Sequence, residues 1–212
     1  MKYLLTSAGI TTRAIGEALL GMIDKPASEA KVAFIPVASN VETYSKGGVI
    51  SAMLSLWKLG FSNIDIVDFT AAGVDWKQRL QDADVVYLPG GNTFHLLDQA
   101  RKTGFDEWLK NDFGDERVYV GSSASTILMT PSIQVAGLEP GDENLPGLTN
   151  LTGLELVGFE VEPHCDAARF ADVEEYAKTR HNAVYAIDDL TAIRIVDDRS
   201  EVISSGTWKL YN

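Results

Sequence analysis

The chain has 212 residues, 45% of them hydrophobic and 23% charged, with a formal net charge of −12. That length and balance suit a single α/β domain over residues 1–212 with a substantial core, and so acidic a surface repels phosphate backbones and anionic lipid, which argues against nucleic-acid and membrane partners. The one cysteine, Cys165, allows no intrachain disulfide, and no stretch approaches the ~18 apolar residues of a membrane span.

Near the amino end, Tyr3-Leu4-Leu5 is too short an apolar run for a secretory signal, so a cytoplasmic location is expected. Lys2 to Thr6 predicts a strand, and Thr11 to Ile23 an amphipathic helix with Ile15, Leu19 and Met22 on one face. Val32 to Val37 is a short apolar run ending in Ala38-Ser39-Asn40. Tyr44 to Leu59 predicts a helix closed by Gly60. A strand over 63–67 and a helix over 75–81 follow. Val85 to Leu88 predicts a strand running into Pro89-Gly90-Gly91-Asn92, then helices over 93–102 and 106–111. The strand Val118 to Val120 leads into Gly121-Ser122-Ser123-Ala124-Ser125 and a further helix. Residues 131–163 are rich in Gly and Pro, with short β-like pieces. A helix over 168–178 precedes strands at 183–187, 192–196 and 201–204, the last two forming a hairpin through Asp197-Asp198.

Continuous apolar runs separated by helices mean strands covered on both faces. The expected architecture is three-layer α/β, a mostly parallel sheet with an antiparallel hairpin near the carboxyl end and one mixed sheet edge. Ligands of such sheets sit beyond the carboxyl ends of the strands. Four of those ends carry small polar loops, at Ser7-Ala8-Gly9, Ala38-Ser39-Asn40, Gly90-Gly91-Asn92 and Gly121-Ser122-Ser123.

Gly121-Ser122-Ser123-Ala124-Ser125 is close to the G-x-S-x-G nucleophile elbow, with serine where the last glycine is usual. A serine nucleophile needs a base, and there are three histidines. His95 lies within a predicted helix and His181 ends a polar one. His164 follows a strand-like run, where it can reach the same edge. Asp188 and Asp189, at the end of another strand, can hold its second ring nitrogen. The Ala124 N–H and a glycine amide such as Gly91 can receive an oxyanion. Asn92 fits either a substrate contact or a helix cap.

Together, "LPGGNTFHLL" (88–97), "GSSAS" (121–125), "EPHCD" (162–166) and "AIDDLTAI" (186–193) resemble the dipeptidase E group of serine peptidases, which includes cyanophycinase. The resemblance implies a class I glutamine amidotransferase-like (flavodoxin-like) fold and hydrolysis of short peptides with an acidic first residue, without metal or cofactor. It implies Ser123 as nucleophile, His164 as general base and Asp189 as the acid that orients it. An acid placed soon after the elbow would fall at Leu138, which cannot act, beside Glu139. Arg169 is implied as the contact for an acidic substrate side chain.

Ser125 opens an alternative, a binding protein on the same scaffold that has lost turnover. Amide transfer with this fold uses cysteine at the elbow, and none is there. A homodimer through an apolar helix face is a further expectation.

Overall fold

The computed structural model describes the whole chain, residues 1–212. In order it contains β1 (Lys2–Thr6), α1 (Arg13–Leu20), β2 (Lys31–Phe34), α2 (Gly47–Lys58), β3 (Asn63–Ile66), α3 (Trp76–Leu80), β4 (Val85–Leu88), α4 (Thr93–Thr103), α5 (Phe105–Asn111), β5 (Val118–Ser122), α6 (Ala124–Leu128), β6 (Glu160–Glu162), α7 (Phe170–Ala177), β7 (Val184–Ile187), β8 (Thr191–Val196), β9 (Arg199–Ser204) and β10 (Trp208–Tyr211). Seven strands form one sheet in the order β3-β2-β4-β5-β1-β8-β9. The first five are parallel, and β8 and β9 add on antiparallel.

The apolar runs bury both faces of this sheet because successive side chains point to opposite sides. Tyr3, Leu5, Val86, Leu88 and Tyr119 join one core with α4, α5 and α6. Leu4, Val32, Phe34, Tyr87 and Val120 join another with Ile15 and Leu19 of α1 and Leu56 of α2. Each such side chain, fully buried, contributes roughly 1.5–3 kcal/mol. Three helices, α1, α3 and α4, start at a capping side chain. The Thr12 hydroxyl accepts the Ile15 N–H at 3.2 Å, Asp75 accepts from Gln78, and Asn92 accepts from His95. Gly104, at φ 73°, closes α4 in the left-handed conformation.

Two expectations need correction. The helix predicted from Tyr44 begins only at Gly47. The Lys46 ammonium donates to the carbonyls of Ser39 and Glu42 and folds residues 42–46 into a loop instead. The strand at 183–187 does not extend the main sheet either. It forms a separate three-stranded sheet, β10-β7-β6, with β6 parallel and β10 antiparallel to it. The free edge of β1 is taken by β8, so β7 pairs with the short β6 and with β10, a strand absent from the sequence expectation. No helix is long and apolar enough to cross a membrane.

Candidate active site

Parallel registry places the polar loops side by side. Thr6 is paired with Ser122 and Leu88 with Gly121, so the loops after β1, β4 and β5 leave the sheet as neighbours. Ser123 sits between β5 and α6 at φ 54° and ψ −115°, a strained backbone that a non-glycine residue holds only where its surroundings impose it. Its N–H donates to the Thr6 carbonyl at 3.1 Å. The elbow needs small neighbours on both sides. A Cβ on Gly121 would lie 2.9 Å from the Ser125 carbonyl oxygen, and one on Gly90 would lie 3.0 Å from the Ser123 Cβ.

His164 arrives from the small sheet, one residue past Pro163 at the end of β6, and also has a positive φ of 52°. Its Nε2 is 2.9 Å from the Ser123 Oγ and its Nδ1 is 2.6 Å from the Asp189 Oδ1. The His164 hydrogen bond, above all, holds the Asp189 carboxyl below its ordinary value. An ionised carboxylate can only accept, so Nδ1 carries the proton and Nε2 is left to accept from the Ser123 hydroxyl. The row is therefore poised to pull a proton from Ser123 and leave the charge beside Asp189.

Asp188, the other candidate, faces elsewhere. It accepts from Leu190 N at 3.1 Å, from the Thr191 hydroxyl at 2.7 Å and from Thr207 N at 2.5 Å, and so ties the turn after β7 to the start of β10. Burial pushes its carboxyl up, but these hydrogen bonds outweigh burial and hold it low. Glu139 meets the site only through its carbonyl, 3.4 Å from Arg169.

Sequence reasoning missed Ser7, which is fully buried. Its hydroxyl donates to Asp189 Oδ1 at 3.0 Å and accepts the His164 backbone N–H at 2.7 Å. One small residue at the end of β1 thus fixes both Asp189 and His164, and joins the two sheets where they meet. The only signal in the sequence was a serine at a strand end.

Gly91 has φ 148°, and a Cβ there would fall 2.3 Å from the Ala38 backbone. Only glycine lets the β4 loop lie against the β2 loop. Ala124 opens α6, and the first N–H groups of a helix have no intrahelical acceptor.

The two expected substrate contacts need revision. Asn92 is buried, with Oδ1 capping α4 at His95 N and Nδ2 donating to the Glu143 carbonyl, both at 2.8 Å. It holds protein to protein and presents no free polar atom. Arg169 is already engaged by the protein, although its Nε has no partner. Its guanidinium lies 2.7 Å from Glu162, whose side chain is 6% exposed. Burial first raises the Glu162 carboxyl to about 7, against the lowering pull of Arg169. Cys165, beside His164, is fully buried among Val173, Ala177, Val184 and Ala186, and burial pushes its thiol up to about 11, so it is a wall residue. No group of three or more His, Cys, Asp or Glu side chains is arranged to hold a metal ion.

A strained serine in hydrogen-bonded line with a histidine and an aspartate, at the carboxyl edge of an α/β sheet, has the form of a serine-type peptidase. Comparison with known proteins gives the family. The model of peptidase family S51 matches residues 3–203, and the chain belongs to that family. An uncharacterized peptidase of Listeria monocytogenes is 31% identical over 170 residues, covering 77% of this chain and 81% of the relative. Peptidase E of Shewanella sp. strain ANA-3 is 30% identical over 190 residues, 86% of this chain and 72% of that protein. Among solved structures, one from L. monocytogenes EGD-e, provisionally assigned to peptidase E, superimposes with a TM-score of 0.80 at 24% identity, over 96% of this chain and 98% of the other. A peptidase from an acI-B1 actinobacterium gives 0.69 at 17%, over 98% and 88%. These two likenesses speak for the fold alone.

Proposed function

We infer that the protein hydrolyses short peptides through an acyl-enzyme on Ser123. His164 takes the hydroxyl proton at Nε2 as the Ser123 Oγ attacks the carbonyl carbon. The Ala124 and Gly91 amides receive the oxyanion, and Asp189 stabilises the imidazolium. His164 then gives the proton to the leaving amine, and the C–N bond breaks. Water, deprotonated by the same nitrogen, releases the acyl group and restores the serine. The observation that carries this reading is the 2.9 Å contact between Ser123 Oγ and His164 Nε2 at a strained elbow.

The alternative of a binding protein without turnover rested on Ser125. That residue does not crowd the elbow. Its hydroxyl accepts the Ser122 N–H at 2.7 Å and donates to the Leu88 carbonyl at 2.5 Å, and the Ser123–His164 contact stands beside it.

The acidic first residue implied by the resemblance has to compete with Glu162 for Arg169. The substrates inferred here are accordingly short peptides without a required acidic first residue. A fluorophosphonate probe should label the wild type at Ser123 and leave folded Ser123→Ala unlabelled. Peptides differing only in Asp or Ala at the first position should be cleaved with kcat/KM values within about tenfold of each other, a factor worth ~1.4 kcal/mol. Folded wild type that resists the probe would sink the mechanism. A strong Asp preference lost in Arg169→Met would restore acid specificity.

A further inference from the structure

Ser123 and His164 open onto a cavity of about 920 Å³, at the upper end of the ~300–1,000 Å³ usual for small-molecule sites. Its course follows from the sheet order. Crossing from β2 through β4 and β5 to β1, its floor passes Ser39, Gly90 and Gly91, Ser122 and Ser123, then Ala8 and Thr11. Its roof includes α2, whose 12 residues span about 18 Å, the length of about five residues of extended peptide.

The two ends differ in charge. At the β2 end, Glu42 and Asp142 line the wall with Tyr44 and with Lys46, whose ammonium is taken up by the Ser39 and Glu42 carbonyls. One Asp142 oxygen, Oδ2, accepts the Thr93 N–H at 2.7 Å, and the other has no protein partner. At the β1 end, the carboxyl end of α2 meets the first turn of α1, where a Cβ on Gly16 would touch Leu59. There Arg13 and Lys58 line the cavity. Arg13 binds Glu17 through Nε alone, its terminal guanidinium nitrogens free, and Lys58 is exposed with no ion pair. An unpaired cation such as Lys58 lining a cavity is notable in a chain of net charge −12. Because β4 and β5 lie between β2 and β1, the nucleophile sits between the acidic and the basic end.

We propose that the substrate is a peptide of three to five residues lying along α2, its terminal ammonium held at Asp142 and Glu42 and its terminal carboxylate at Lys58 and Arg13. This rests on the serine-peptidase reading above and adds the substrate's length and direction. An extended dipeptide is about 7 Å long, well short of the ~18 Å of α2, and engages one end of the cavity. A longer chain with both termini free engages both ends, and the carboxylate pairing appears in KM because it forms on binding and does not change as the bond breaks.

The test is a ladder of alanine peptides from two to five residues, as free acids and as carboxyl-terminal amides, run with wild type, Lys58→Gln and Asp142→Asn. Wild-type kcat/KM should rise at least tenfold from dipeptide to tetrapeptide. Amidation should raise the tetrapeptide KM about tenfold with kcat little changed. Lys58→Gln should raise it similarly, and combining the variant with the amide should cost no more than either alone, the sign that the two changes remove one interaction. Asp142→Asn should raise KM for free-amine tetrapeptides. Ser123 labelled by fluorophosphonate without a preference for the longer free acid, whether turnover is equal across the ladder or nil, overturns this proposal alone. An unlabelled, folded protein that cleaves nothing overturns the peptidase reading beneath it.

Discussion

Ser125 shows how a single hydroxyl can replace a glycine without loss of the turn. It is fully buried, accepts the Ser122 N–H, donates to the Leu88 carbonyl, and lies within 3.0 Å of the Ser122 carbonyl. It therefore ties the elbow to the end of β4, where Gly90 backs against Ser123. Removing it leaves a buried donor and acceptor unpaired, at about 1–3 kcal/mol, and frees the elbow to move relative to the β4 loop. Ser125→Ala should lower the unfolding free energy by that amount and reduce kcat about tenfold or more with KM little changed. Ser125→Gly should behave alike. Loss of stability with unchanged kcat would show that the hydroxyl serves folding alone. Because its partners belong to β4 and β5, the sequence could pose the question of this residue but not answer it.

At the scale of the element, what was legible followed from local physics. The doubly buried strands announced themselves as apolar runs, and Asn92 offered itself as a helix cap, a short polar side chain ahead of periodic apolar ones. Ser123, His164 and Asp189 stood out because each is a chemically able residue at a strand end. The small sheet was legible only as the strand at 183–187 and a strand-like run before His164; its pairing and β10 were not. β6 has three residues, two of them glutamates, and buries them because partners arrive from afar. Glu160 is held by Arg180 at 2.9 Å and the Tyr176 hydroxyl at 2.6 Å, and Glu162 by Arg169. Without those partners the burial of two glutamates in so short a strand cannot be foreseen. The β8–β9 hairpin was legible and also carries a testable cost. Val196 pairs with Arg199 across a two-residue loop in which Asp197 and Asp198 have φ of 50° and 63°. Positive φ at both positions is the turn for which glycine is best suited at the second. Asp198→Gly should raise stability by about 0.5–1 kcal/mol in urea titration with turnover untouched. A fall would mean that Asp198 makes up its backbone strain through its charge.

At the scale of the whole molecule, two sources of negative charge oppose the fold as pH rises, and they can be separated. The first is the formal charge of −12, spread over the surface. Its self-repulsion grows as carboxylates ionise and is screened by salt. The second is Glu162, 4% exposed, whose carboxyl burial raises from 4.5 to about 7 despite Arg169. Between those two values the folded chain keeps a proton that the unfolded chain has released. Folding then takes up a proton, so this contribution is complete below the lower value and is lost as pH climbs through the higher one. Both effects have the same sign, but salt reaches only the first. In about 0.5 M NaCl, where the Debye length is a few ångströms, the wild-type Tm should still fall between about pH 5 and about pH 8. Glu162→Gln, which cannot ionise, should fall less, the gap reaching roughly several degrees at the alkaline end. Parallel Tm curves for the two proteins would mean that Arg169 keeps Glu162 ionised throughout. The guanidinium would then be fully committed, and the case against an acidic first residue in the substrate would be stronger still.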